Sequence, residues 1–279
     1  ITFPNWMRIL PFFFIFMTSL LQAQQVCDCD STFDFVYSQW ASVDNMEYLS
    51  VKNERKMDEY ETAEFEFIVQ RKPYKVAGLM LGKRHRLLYD PSLKRDEALY
   101  IPSGFPFTNV WLDIHGKVFR GLNHYTISNA GGEFIFGIIK NEYEKMRENF
   151  ICTKVQRNGE WVIDVYAESD NYRLSPYTAQ PRETVLDIAQ KFNVMAYALI
   201  EYNQNVENYT EDLGGKKLMI PNQYGSKVKL AVSAEHGMPT LIRVEDPKGL
   251  LEQYEYSNYK FNQKLPADYF TEKYLDDLD

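Results

Sequence analysis

Histidines, cysteines and paired carboxylates are the residues of this chain whose types could carry acid–base, metal or redox chemistry, and their spacing argues against most of it. The four histidines, His85, His115, His124 and His236, are spread over expected turns and strand ends, and no two stand at the separation a shared metal requires. His124 is singled out because it precedes an expected helix. There is no His-Glu-x-x-His, no Gly-x-Ser-x-Gly and no phosphate-cradling glycine loop. Acidic pairs such as Glu59/Glu61 and Asp276/Asp277 read as solvated faces. No catalytic residue, metal ligand or cofactor is assigned, so the chain is expected to act by binding. Of the three cysteines, Cys27 or Cys29 is expected to pair with distant Cys152 in an oxidising compartment, leaving the other free. Gln24-Gln25-Val26 lacks the small residues that a lipid-attachment cysteine wants before it.

The compartment is read from the N-terminus. Arg8, the apolar run 9–17 and Ala23 have the order of a secretory signal peptide, so residues 1–23 are set aside from the fold. The expected location is periplasmic or exported, soluble or membrane-attached. Lys plus Arg number 31 against 39 Asp plus Glu, a net charge of −8 with no dense basic run, which excludes a nucleic-acid partner. Aromatic residues make up 15% of the chain, with 20 Tyr and 18 Phe, a composition that favours β-sheet.

The elements that position these residues follow from periodicity. Phe35, Val36, Trp40 and Val43 recur at helical spacing in a stretch from Ser31 to about Val51. The period then drops to two, with Phe65, Phe67 and Val69 alternating with Glu64, Glu66 and Ile68, and short strands follow near 74–76, 79–81, 86–89 and 97–101. His115-Gly116 is expected to turn a hairpin between 110–112 and 117–119. A second helix places Phe134, Ile138 and Ile139 on its apolar face, with Ser128 or Asn129 as N-cap. Strands resume at 150–156 and 161–166 around Asn158-Gly159, the dipeptide suited to a type I′ turn, and again at 227–232, 240–244 and 251–261. The expected fold is α+β: a curved antiparallel half-barrel sheet with helices laid on its concave face. By alternation Phe65, Phe67, Val76, Leu79, Leu81, Leu88, Trp111 and Phe119 share that face, either as packed core or as the wall of a lipid-sized cavity.

Between 175 and 222 the pattern changes to a small β-α-α-β unit. Thr184 opens a helix with Val185, Ile188, Ala189 and Phe192 at i, i+3, i+4 and i+7, and Asp187 stands where a capping-box carboxylate belongs. With Tyr177-Thr178, Phe192-Asn193-Val194, Asn203 and Leu213-x-Gly215-x-x-Leu218-x-Ile220-Pro221, this segment resembles the LysM module, which binds N-acetylglucosamine glycans such as peptidoglycan. The usual Gly-Asp-Thr turn is here Arg182-Glu183-Thr184, and 205–212 lengthens the loop before the last strand. The resemblance implies a groove flanked by Glu183, Thr184, Asp212, Leu213, Gly214 and Gly215, with backbone groups bonding the acetamido substituents.

The host strands carry a looser resemblance. Arg71-Lys72-Pro73-Tyr74-Lys75-Val76, Arg86-Leu87-Leu88-Tyr89, His124-Tyr125-Thr126-Ile127 and 254–262 are similar to a bacterial envelope family of unknown function related to periplasmic lipoprotein carriers. That likeness implies an unclosed barrel with a helical lid and an acyl-chain ligand. The expected division is a discontinuous host at 24–174 and 223–279 with a LysM-like insert at 175–222. The expected function is non-enzymatic: peptidoglycan bound by the insert and a lipid, lipoprotein or protein partner bound by the half-barrel. A lipid or lipoprotein carrier with a vestigial insert is the second reading.

Overall fold

The computed structural model describes residues 25–104 and 108–277; the expected signal peptide lies outside them. After strand β1 (Gln25–Cys27), helix α1 (Cys29–Ala41) starts on Asp28, whose carboxylate accepts the Ser31 N–H at 2.8 Å. Phe33, Val36 and Trp40 bury one face of the helix. It ends ten residues earlier than helical spacing suggests, because from Asn45 the chain turns to a period of two. In strand β2 (Asn45–Lys56) Met46, Tyr48, Ser50, Lys52 and Glu54 all face inward. Cys29, and not Cys27, forms the disulfide with Cys152 and ties α1 to the sheet.

β2 opens a meander through β3 (Glu59–Arg71), β4 (Tyr74–Met80), β5 (His85–Tyr89), β6 (Glu97–Ile101) and β7 (Val110–Asp113). The expected hairpin at His115-Gly116 does not form, since 114–122 are turns rather than a returning strand. A crossing segment instead carries the chain to helix α2 (Glu133–Lys145) and to the opposite edge of the sheet. α2 buries Ile135, Phe136, Ile139 and Tyr143, so its inner face is turned from the expected one, and Phe134 is 47% exposed. Its N-cap is Gly132, not Ser128 or Asn129, which lie in a preceding 3-10 turn. Gly132 has φ 80°, and a Cβ there would stand 2.8 Å from the Trp40 ring. Glycine is required on both counts.

β8 (Phe150–Arg157) and β9 (Glu160–Glu168) pair across Asn158-Gly159, both at positive φ. β12 (Lys227–Ser233), β13 (Pro239–Asp246) and β14 (Gly249–Phe261) then fill the gap back to β2. Among the described residues this makes one antiparallel sheet of twelve strands, in the order β1-β8-β9-β12-β13-β14-β2-β3-β4-β5-β6-β7. Its outermost strands, β1 and β7, are not paired with each other, so the sheet stays open. β9 and β12 are direct neighbours, with Glu168 opposite Lys227. Between them the chain leaves to form β10 (Leu174–Thr178), α3 (Val185–Phe192), α4 (Ala196–Glu201) and β11 (Lys217–Pro221), with β10 and β11 paired as a separate two-stranded sheet.

The two faces of the sheet are covered differently. α1, α2 and the 174–221 unit pack with the main core on one face. On the other, Ala77, Leu88, Leu99 and Ile101 meet Phe270 and Leu275 from the C-terminal segment that holds helix α5 (Glu272–Asp276). Without that segment these apolar residues of β4–β6 would face water. Phe270→Ala is expected to lower the unfolding free energy by about 3 kcal/mol, as a buried aromatic truncation does; urea denaturation followed by circular dichroism measures it, and an unchanged midpoint would contradict the packing.

Candidate functional site

The inner face of β2–β6 and β14 does not meet the crossing segment everywhere, and a cavity of about 490 Å³ remains between them. Tyr48, Phe65, Phe67, Met80, Leu87, Tyr256, Phe119 and Ile135 supply apolar walls. The Phe65 and Phe67 rings stack at 5.4 Å, and Tyr48 packs against Phe67 and Tyr256 at 5.6 and 5.9 Å. At one end the wall turns polar, with Lys52, Glu54, Arg120, Asn123, Thr126 and Tyr254. Val118, 83% exposed, sits where the lining reaches solvent.

Three of the eight residues expected on the ligand face, Phe65, Phe67 and Phe119, line this cavity. Val76 shares their side of the sheet but is packed in the core. Leu79 points the other way, because its cross-strand partner is Glu66 while Phe65 faces Met80. Leu88 and Trp111 belong to the row Ile68, Ala77, Leu88, Leu99, Trp111 that underlies the C-terminal segment. Leu81 lies past the end of β4, with its N–H bonded to the Glu64 carbonyl. Strands covered on both faces read as nearly continuous apolar runs, so alternation alone cannot set their phase.

The polar end rests on residues that sequence reasoning passed over. Glu54 and Glu252 are directly opposite each other on β2 and β14, a destabilising pairing if both were bare carboxylates. Lys52 Nζ lies 2.9 Å from Glu54 Oε2 and also donates to Asn123 Oδ1, while the Tyr254 hydroxyl donates to Glu54 Oε1 at 2.5 Å. Glu252 accepts from the Tyr125 and Tyr224 hydroxyls at 2.9 and 2.8 Å. His124 joins the layers: Nδ1 lies 2.8 Å from Glu252 Oε2 and Nε2 2.8 Å from the Arg55 carbonyl. A carbonyl can only accept, so Nε2 carries a proton. The two carboxyls part company as a result. Burial disfavours the Glu54 charge, but His124, Lys52 and the Tyr254 hydroxyl outweigh it and hold its pKa to about 2. Burial dominates at Glu252 and pushes its pKa up. A signal was present in the inward row Ser50, Lys52, Glu54, polar residues on a face that is otherwise aromatic.

The 174–221 unit closes this end. Arg55 bonds both Glu201 oxygens at 2.9 Å and both Asp246 oxygens at 3.0 and 2.6 Å, all three side chains buried. The Tyr197 ring stacks on His124 at 4.2 Å, its hydroxyl accepts the Met57 N–H, and the Tyr209 hydroxyl donates to the Asn123 carbonyl at 2.9 Å.

The six residues expected to bind glycan are brought together where the turn 182–184 meets the loop 212–215. Leu213 N–H donates to the Glu183 carbonyl at 2.8 Å, and Asp212 Oδ1 accepts from Arg182 and Gly214 N–H. Gly215 N–H bonds the Ala179 carbonyl, and Thr184 N–H the Asp187 carboxylate that completes its capping box. The Leu213 side chain is buried. Glu183 is held to about 2 by a hydrogen bond from Lys191 and another from Tyr177. The N–H groups of 182–184 and 213–215 are thus engaged within the protein. Among the described residues no three His, Cys, Asp or Glu side chains cluster as metal ligands.

No protein-family model and no curated protein matches the chain. Solved structures similar to it include a putative outer membrane lipoprotein-sorting protein domain from Vibrio parahaemolyticus (10% identity, 89% of this chain and 100% of that one, TM-score 0.36). A LolA superfamily protein from Nitrosomonas europaea shares 9% identity over 89% of this chain and 99% of its own, with TM-score 0.31. The Mycobacterium tuberculosis lipoprotein LppX shares 9% over 86% and 100%, with TM-score 0.39.

The divergence of the two carboxyls makes stability pH-dependent. Glu54, with a folded pKa below its ordinary 4.5, contributes stability that is complete above about pH 4.5 and is lost as pH falls towards 2. Glu252, raised, contributes in the opposite sense, most at low pH. Glu54→Gln is expected to start less stable at pH 7 and to lose about 2–3 kcal/mol less than the parent between pH 5 and 2. Denaturation curves across that range check this; parallel losses in parent and variant would contradict it.

Proposed function

We propose that this chain is a non-enzymatic binding protein whose open sheet holds an acyl chain in the cavity, as a carrier or sensor of lipid or lipidated protein in the cell envelope. The observation that supports it is the cavity itself: about 490 Å³, within the roughly 300–1,000 Å³ typical of ligand sites, with aromatic and aliphatic walls and a polar end. Core side chains normally fill such a space, and unfilled apolar volume is costly. An occupant that buried its methylenes there would gain about 0.8 kcal/mol for each. The signal-peptide reading of 1–23 and the Cys29–Cys152 disulfide, which suits an oxidising compartment, support export to the envelope.

In this reading the 174–221 unit is a LysM-like insert whose present task is to close the polar end of the cavity. Peptidoglycan binding has the β-α-α-β order in its favour and the engaged backbone donors of 182–184 and 213–215 against it.

N-phenyl-1-naphthylamine, an uncharged fluorophore, is expected to bind one-to-one with rising emission, and native mass spectrometry of protein purified without detergent is expected to show a lipid adduct. Ser50, buried in the cavity wall, offers the control. Ser50→Phe places a ring in the open volume and is expected to weaken the fluorophore at least about tenfold, a loss of about 1.4 kcal/mol, with circular dichroism unchanged. Equal binding by parent and variant would remove the cavity from the function.

A further inference from the structure

Resting on the cavity reading, we infer that the bound amphiphile carries an anionic head, a carboxylate or a phosphate, seated against Lys52, Arg120 and Thr126. The chain as a whole is acidic, at −8, yet the closed end of its cavity has a surplus of positive charge. Two cations line it, Lys52 and Arg120, with one carboxylate, Glu54, between them. Glu61 also lines the cavity, but it is ion-paired with Lys56 and half exposed. His124 and Glu252 behind the wall add nothing, since imidazolium with carboxylate and imidazole with carboxylic acid are both neutral as pairs.

Arg120 is the group left over. It is buried, and no carboxylate lies within ion-pair distance of it among the described residues. Its guanidinium donates to the Asn123 and His124 carbonyls, meets His115 Nδ1 at 3.3 Å and stacks 3.5 Å above the Tyr209 ring. His115 is pushed towards its neutral form by burial first and by Arg120 second, so it offers a lone pair and no charge. Those contacts engage three of the five guanidinium N–H groups and neutralise none of the charge. A buried cation without a counter-ion is expensive, and the missing partner is an anion.

Two further donors point to the same chemistry. Lys52 gives two of its three N–H groups to Glu54 and Asn123. The Thr126 hydroxyl is buried in the cavity wall, where the Asn129 N–H approaches its oxygen in the turn's capping box and no acceptor meets its O–H. Unsatisfied buried polar atoms are rare and call for a partner. An oxyanion at the end of an acyl chain supplies acceptors for all three residues, and its apolar tail runs along Phe65, Phe67 and Tyr256.

The experiment displaces N-phenyl-1-naphthylamine from the full chain with three ligands of equal tail length below their micelle concentrations: laurate, dodecyl phosphate and uncharged monolauroylglycerol. At least one anion is expected to displace at about tenfold lower concentration than the monoglyceride, the scale of a charge-assisted hydrogen bond in a buried site. Whichever anion leads identifies the head as carboxylate or phosphate. Arg120→Gln is expected to abolish the preference of the anions over the monoglyceride. Glu54→Gln, which deletes the carboxylate ion-paired with Lys52 and keeps the shape, is expected to widen the preference several-fold and provides the test if the Arg120 variant does not fold. Equal displacement by all three ligands, or a preference unmoved by Glu54→Gln, would overturn the anionic head while leaving the cavity reading intact. Failure of the fluorophore to bind at all would overturn both.

Discussion

Arg55 carries a charge to a place that water does not reach, and the chain must bring two carboxylates to it from far away in sequence. Glu201 arrives from α4 in the small β-α-α-β unit, and Asp246 from the end of β13. With neither in place Arg55 would be a stranded buried charge, a penalty of several kcal/mol; with both, Lys248 at 3.4 Å from Glu201 supplies a second cation. That single requirement sets where the 174–221 unit sits and fastens the β13–β14 hairpin to β2. The carbonyl of the same residue then holds His124, and His124 holds Glu252. The inner polar layer is therefore one connected structure, reaching from the inserted unit through the sheet to the wall of the cavity.

The cavity is the complement of that layer. Where β2 and β14 present Lys52, Glu54, Glu252 and Tyr254, polar partners and the 174–221 unit fill the space. A few residues along, where the same two strands present Tyr48 and Tyr256, flat rings line an opening that no side chain occupies. The crossing segment 114–132 roofs it. Gly132 makes that roof possible, because the turn into α2 passes so close to Trp40 that a side chain would collide. The rings, the roof and the buried charge layer together give a space with one greasy length and one charged end.

The legible parts of the fold were the local ones. Asn158-Gly159 has a backbone preference that selects its turn, Thr184 with Asp187 caps a helix within four residues, and Phe65 and Phe67 alternate with glutamates because one side of β3 is wet. Each of these rests on neighbours in the chain. The phase of β4 to β7 was not legible, since Ala77, Leu88 and Leu99 are covered by a segment almost two hundred residues later. Nor was the end of α1, where Val43 keeps helical spacing although the backbone has already turned towards β2.

The same division holds for the site. Period, composition and turn chemistry, carried by residues within a few positions of each other, were enough to determine an antiparallel sheet, a β-α-α-β unit and a chain without catalytic motifs. The choice of Cys29 over Cys27 and the meeting of Glu54 with Glu252 came from pairings across more than a hundred residues, and so did the placing of Arg120 with no carboxylate within ion-pair distance among the described residues. No local preference encodes those, because they exist only once β14 lies beside β2 and the inserted unit has closed the end of the sheet.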